Sequence, residues 1–203
     1  MSSALIVRDV SRGEWAAAAP IAARAFFDEE FVVGMFGKEP LSRWAGAHHF
    51  YAAETFDQDG WHLGAFIGDT QVGLIRLSPF GKCYVCTQVS PITPPEDPVL
   101  ALDWAFEVQV LKAHSTFERH AWISRVAVEP QLHGTGIGKL LVDAALDRLG
   151  KHGKHGNGIV LLECLATREG FYAGRGFRRV STLVDPYAVE RALLMSADLP
   201  RDH

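Results

Sequence analysis

A chain of 203 residues, 48% of them hydrophobic, is long enough to fill one core and short for two. Its formal net charge of -4 supplies no broad basic field for nucleic acid or an anionic membrane, and no apolar run reaches the length of a membrane span. Three cysteines are too few for a disulfide framework, and the first residues lack the apolar stretch of a signal peptide. A single cytoplasmic domain over residues 1–203, with a small-molecule or peptide partner, is therefore expected.

Residues Ala4 to Val10 read as a first strand, and Ser11-Arg-Gly-Glu14 has the form of a capping box ahead of an Ala-rich helix reaching Phe27. An apolar loop over Phe31 to Phe36 follows, then a second helix from Leu41 to Phe56. His62 to Ile67 and Gln71 to Leu77 flank Gly68-Asp69-Thr70 and read as an antiparallel hairpin. Cys83 to Cys86 reads as strand, Pro91 to Pro98 as a surface loop because of its four prolines, and Val99 to His114 as the third helix. Beyond lie a strand from Ala121 to Val128, a helix from Ile137 to Gly150, a strand from Ile159 to Cys164, a short helix near Thr167 to Gly174, and strands over 178–184 and 192–199.

The connection Gln131-Leu-His133-Gly134-Thr135-Gly136-Ile137-Gly138-Lys139 carries the strongest chemical signal. Strand, glycine loop and helix follow in the order that presents the unbonded first amides of a helix, and its positive dipole end, to an anion. Three nucleotide-binding patterns can be compared with it. A P-loop requires glycine five residues before Gly138 and Ser or Thr after Lys139, where this chain has His133 and Leu140. A dinucleotide fingerprint requires Gly-x-Gly-x-x-Gly after the first strand of a βαβ unit, whereas this loop is Gly-x-Gly-x-Gly late in the chain. The third pattern, Gln/Arg-x-x-Gly-x-Gly/Ala, is met by Gln131, Gly134 and Gly136.

With that loop, and with Tyr172 preceding Gly176-Phe177 on the far side of the next strand, the chain resembles the GCN5-related N-acetyltransferase (GNAT) family. Trp122, the Val-x-Val-x-Pro ending at Pro130 and the Phe171-Tyr172 pair also look like the branch that contains puromycin N-acetyltransferase. The resemblance implies an α+β fold, also describable as an α/β three-layer sandwich, with a mixed, mostly antiparallel central sheet flanked by helices. The order would be about βααββαβαβαβ plus a final strand. It further implies acetyl-coenzyme A as co-substrate, its pyrophosphate held by Gln131, His133, Gly134, Thr135, Gly136, Ile137, Gly138 and Lys139. Val126, Ala127 and Val128 would face the pantetheine arm, one backbone N–H of Val126 or Val128 polarising the thioester carbonyl. Tyr172 would protonate the departing thiolate as general acid.

The general base is left open. The family often places Glu or His where this chain has Trp122, which cannot accept a proton; His120 on the same strand and Glu163 on the next are the candidates, acting through water, and loss of the amine proton to bulk solvent would remove the need for either. Thr167-Arg168-Glu169 replaces the family's asparagine, so no role carries over to Arg168. Phe26, Phe27, Asp28, Glu29, Glu30, Phe31, Met35 and Phe36 place aromatic rings beside carboxylates, which suits an amphipathic cation as acceptor.

Cys83-Tyr-Val-Cys86 imitates half of a metal site, but with no second Cys pair or nearby His to complete it in sequence no metal is expected. Cys164 could carry an acetyl group in a ping-pong scheme, yet its place on an apolar strand favours burial and direct attack. Lys151-His-Gly-Lys-His-Gly156 suits the C-terminal dipole of the preceding helix rather than a ligand. Two functional readings stand side by side: an N-acetyltransferase acting on a primary amine of a small molecule or peptide, with a homodimer left open, and a non-catalytic acyl-coenzyme A sensor or interaction module on the same fold.

Overall fold

The computed structural model describes residues 4–55, 60–87, 96, 98–152, 158–184 and 192–199. The chain forms two compact units, Met1–Leu77 with Ser124–Arg148, and Ser78–Ile123 with Leu149–His203. Seven strands follow the order β1-β2-β3-β4-β5-β7-β6, and β4 (His120–Val128) is the strand whose halves belong to different units.

In the first unit, β1 (Leu5–Asp9) pairs antiparallel with β2 (Trp61–Ile67), and β2 with β3 (Thr70–Ser78). Gly68-Asp69 closes the β2–β3 hairpin as a two-residue turn, with Gly68 at φ 60°. The glutamate half of the expected capping box forms: Glu14 accepts hydrogen bonds from the Ser11 amide at 2.9 Å and the Ser11 hydroxyl at 2.6 Å, while its own N–H bonds the Ser11 carbonyl rather than the hydroxyl, and a 3-10 turn over Arg12–Glu14 leads into helix α1 (Trp15–Ala25). Small residues on α1 allow close approach to the long helix at 40–55: Ala18, Ala19, Ala22 and Ala23 share a buried cluster with Ala47, Tyr51, Leu74 and Ala127.

The segment Phe31–Phe36, expected as loop, is helical. Helix α2 (Glu30–Phe36) starts after the extended Glu29, carries Glu30 in its first turn, and stops where Gly37 at φ 85° returns its N–H to Val33 at 2.9 Å. Val32, fully buried, ties it to the core, and α3 (Pro40–Thr55) follows.

The second unit begins with a correction of the same kind. Pro79 and Gly81, at φ 74°, turn the chain, and Cys83 to Cys86 winds into the single-turn helix α4 (Tyr84–Thr87) rather than a strand. The proline-rich stretch is outside the described residues apart from Glu96 and Pro98, and Pro98 opens helix α5 (Pro98–His114) as a first-turn proline. The first half of β4 pairs in parallel with β5 (Ile159–Leu165) from His120↔Ile159 to Ile123↔Leu162. β7 (Ala192–Asp198) pairs antiparallel with both β5 and β6 (Arg178–Leu183). Val110 of α5 packs with Leu161, Leu183 and Leu194, flanked by Phe106, Phe117 and Trp122. Helix α6 (Ile137–His152) ends where the basic run begins; residues 153–157 of that run lie outside the described set. No helix among the described residues is long and apolar enough to cross a membrane.

Candidate functional site

In the first unit, β4 ends as the Glu129 N–H bonds to Val72 at 2.9 Å, and a 3-10 turn over Pro130–Leu132 leads into the glycine loop. Gly134 and Gly136 adopt φ of 79° and 92°, a region costly to any residue with a Cβ, and a Cβ at either would meet no atom within 4 Å. Backbone conformation, not crowding, therefore demands these glycines, and the space beside them is open. The His133 ring bonds to the Val128 carbonyl at 2.9 Å, and the Thr135 hydroxyl donates to the Leu132 carbonyl at 2.7 Å, fixing the loop from both ends.

Ile137, 3% exposed, plants the start of α6 in the core. Gly73 of β3 permits this depth, since a Cβ there would stand 3.0 Å from the Ala127 carbonyl oxygen and 3.2 Å from Leu141. The first intrahelical acceptor is Gly136, bonded by Leu140 at 3.1 Å, so the amides of Ile137, Gly138 and Lys139 precede any bonded turn and find no backbone acceptor among the described residues. Gln131, Thr135 and Lys139 are exposed beside them. Free amides, a helix dipole and a lysine form an anion cradle. Val126 is half-buried, while Ala127 and Val128 are buried.

Next to the loop, the buried Glu129 carboxylate accepts from Arg24 Nε at 2.9 Å and from Arg24 Nη2. Arg24, Phe27, Asp28, Trp44, Pro130 and Gln131 line an open cavity of about 400 Å³. Asp28, expected as a ligand for an acceptor cation, already meets Arg43 at 3.2 Å, and the Arg43 guanidinium stacks 4.1 Å from the Phe27 ring centre. The Asp28 side chain is still 87% exposed and can receive a second cation. Phe31 and Phe36 pack in the helical core against Phe50, so they support the wall without forming it.

In the second unit, Tyr172 sits on helix α7 (Glu169–Ala173) and packs edge-on against Phe177, with ring centres 5.9 Å apart. Burial, then the nearby Cys164, pushes its hydroxyl pKa up, so the phenol keeps its proton at neutral pH as a general acid must. Glu169 holds the helix to β6 through Arg179, at 3.0 Å from Nε. Cys164 is partly buried with its thiol 3.5 Å from the Met195 sulfur.

The two base candidates belong to one buried cluster. Glu163 accepts from Trp122 Nε1 at 2.8 Å and from His114 Nε2. His120, only 3% exposed, has Nδ1 at 3.2 Å from the Phe117 carbonyl and Nε2 at 3.2 Å from His114 Nδ1. Burial and the facing His114 lower the His120 pKa, so its ring is neutral at pH 7. Cys83 and Cys86, which have no histidine partner in sequence, meet these rings in space: Cys83 Sγ lies 3.3 Å from His114 Nδ1 and Cys86 Sγ 3.8 Å from His120 Nε2. Burial pushes the Cys83 thiol up to about 12. His114 was not singled out by the sequence. The signal that could have found it is the His-x5-His spacing of His114 and His120, which fits metal pairs but follows Cys86 only after 27 intervening residues.

Comparison with known proteins adds three findings. The family model described as "Acetyltransferase (GNAT) family" matches residues 23–177. Among solved structures, the chain is similar to a Corynebacterium glutamicum protein described as histone acetyltransferase HPA2 and related acetyltransferase, at 16% identity and TM-score 0.66, covering 100% of this chain and 98% of that one. It is similar also to the ribosomal-protein-S18-alanine N-acetyltransferase of Escherichia coli, at 14% identity and TM-score 0.60 over 98% and 97% of the chains. A third is the PaiA N-acetyltransferase of Thermoplasma acidophilum in complex with coenzyme A, at 16% identity and TM-score 0.58 over 96% and 98%. At these identities the likeness is one of fold. No curated protein sequence matches the chain significantly.

Proposed function

Because the chain belongs to the acetyltransferase (GNAT) family, whose model matches residues 23–177, we propose that it transfers the acetyl group of acetyl-coenzyme A to a primary amine by direct attack in a ternary complex. The observation that carries this reading is the glycine loop: unbonded amides at the start of α6, with Gly134 and Gly136 in conformations only glycine adopts cheaply, suit the coenzyme's pyrophosphate.

In the proposed reaction the amine lone pair attacks the thioester carbon, and charge gathers on the carbonyl oxygen, where a backbone N–H of Val126 or Val128 stabilises it. The C–N bond forms, the C–S bond breaks, the thiolate takes its proton from Tyr172, and the proton shed by the acylated nitrogen passes to solvent, from which the phenol is restored. Direct attack needs no acyl-enzyme, and Cys164 is then a packing residue beside Met195.

Neither His120 nor Glu163 has bonds that suit a base. His120 has both ring nitrogens facing polar neighbours, and both oxygens of Glu163 are already engaged, by Trp122 and by His114. We assign the amine's deprotonation to bulk solvent before attack. The acceptor's apolar body is proposed to lie against Phe27 and Trp44, with its charge toward Asp28, as suits a small amine or peptide terminus.

Release of free thiol from acetyl-coenzyme A tests the reaction. Thiol should appear only when an amine is present, with initial-velocity lines that intersect as both substrates vary. Coenzyme binding without amine-dependent release, across diamines, aromatic amines and peptides, would instead identify a sensor module. Parallel lines would replace direct attack with an acyl-enzyme.

A further inference from the structure

The reaction above leaves unused the cluster of Cys83, Cys86, His114 and His120, whose donor atoms all lie within 4.8 Å of one another. Hydrogen bonding fixes the tautomers of both rings. An ionised Glu163 carboxylate can only accept, so His114 Nε2 carries a proton, and in the neutral ring the lone pair is then on Nδ1. The Phe117 carbonyl can only accept, so His120 is protonated on Nδ1 and bears its lone pair on Nε2. Those two lone pairs face each other at 3.2 Å, with two cysteine sulfurs alongside at 3.3 and 3.8 Å. With both thiols deprotonated, four electron-rich atoms would converge in this largely buried place, an arrangement that a cation among them stabilises.

We infer that Cys83, Cys86, His114 and His120 form a closed, structural zinc site. Zinc–nitrogen bonds of about 2.0–2.1 Å and zinc–sulfur bonds of about 2.3 Å set tetrahedral edges of roughly 3.3 Å between nitrogens and roughly 3.6 Å between nitrogen and sulfur. The N···N distance of 3.2 Å and the S···N distances of 3.3 and 3.8 Å straddle those edges. Two thiolates and two neutral imidazoles favour zinc over the oxygen-seeking calcium or magnesium, and four protein ligands leave no position for substrate.

The surroundings of the ligands are those of a metal site. A ligating histidine usually donates its other N–H to a carboxylate or carbonyl, and here both do. Trp122 in turn fixes the Glu163 carboxylate at 2.8 Å. Trp122 and Glu163 thus acquire a task that acetyl transfer did not give them: they orient His114. The site would tie the single turn α4 to the end of α5 and the start of β4, all within the second unit. Cys86 is exposed while the other three are buried, which gives an ion its route in. Binding displaces the two thiol protons to solvent.

Metal analysis of the full-length protein, purified without chelator, tests the site without reference to catalysis. One zinc per chain is expected, and cobalt(II) added to the chelated protein should give the intense visible bands of a tetrahedral thiolate complex. Cys86→Ser and His114→Ala should each abolish stoichiometric zinc, whereas Glu163→Gln should keep the site and weaken it about tenfold to hundredfold. If those ligand variants fail to fold, thiol labelling of the unaltered protein decides: Cys83 and Cys86 should resist the reagent until a chelator is added. A folded protein that takes up neither zinc nor cobalt, thiols labelled equally fast with and without chelator, or a native Cys83–Cys86 disulfide would overturn the inference.

Discussion

Replacing Gly136 by alanine separates the loop's backbone conformation from its packing. At φ 92° the residue lies where an L side chain is strained, and the new Cβ touches nothing within 4 Å, so the cost comes from the backbone alone, about 1–2 kcal/mol. For a chain of this size that is a fall in melting temperature of about 2–8 °C. The variant can relieve the strain by moving φ toward negative values, which turns the amides of Gly136 and Ile137 away from their present direction. If those amides hold a pyrophosphate, losing one hydrogen bond to a charged group removes about 1.5–3 kcal/mol, or roughly tenfold to over hundredfold in coenzyme affinity. Thermal unfolding and calorimetric titration with coenzyme A measure the two effects on the same samples. Gly150→Ala provides the opposite sign: that glycine lies inside α6 with negative φ and open space, and alanine there should stabilise the protein by about 0.5–1 kcal/mol and leave affinity alone. A Gly136→Ala protein that is destabilised yet binds coenzyme A as tightly as its parent would refute the assignment of the loop amides to the pyrophosphate.

Tyr172→Phe should lower kcat by about 10²–10⁴ with little change in coenzyme affinity, and unchanged steady-state rates across pH would remove it from the mechanism. With no enzymic base, log kcat/KM should rise with unit slope from neutral pH toward the pKa of the amine; a plateau beginning near pH 7 would return the proton to a side chain. Arg24→Ala strands the buried Glu129 carboxylate and should destabilise the protein by about 1–3 kcal/mol, the lower end being favoured by the 43% exposure of Arg24, with partial recovery in the Arg24→Ala, Glu129→Gln double variant by chemical denaturation. Hydrogen bonds from Arg8 and Ser11 depress the Glu14 carboxyl from 4.5 to about 2. A depressed carboxyl pKa stabilises the fold above 4.5 and loses that effect as pH falls through about 2, so the stability gap between the parent and Glu14→Gln should be full at pH 7 and vanish near pH 2. A gap independent of pH would contradict the capping-box account.

Local chemistry made the glycine loop, the capping box and the two-residue hairpin turn readable, because in each a few neighbouring residues dictate the backbone. Helix α2 escaped because Phe31-Val-Val-Gly-Met-Phe36 is apolar and contains glycine and β-branched residues; burial of Val32 against α1 and α3 overrides weak propensity there. Helix α4 escaped because a single turn has no period to read. The partners of Cys83 and Cys86 were hidden for another reason: the end of α5 and the start of β4 deliver His114 and His120 only once the second unit folds. His120 and Glu163 can be named from the sequence as chemically able residues, but their partners, His114, Phe117 and Trp122, are brought to them only by packing.

Transfer of a carbon-13-labelled acetyl group from the coenzyme to an amine tests the central claim most directly. Followed by NMR over an amine panel, the label should move from thioester to amide in step with thiol release, and this movement should be suppressed in Tyr172→Phe. Saturable coenzyme binding while the label stays on the thioester, or its passage to acetate at the same rate with and without amine, would contradict the account.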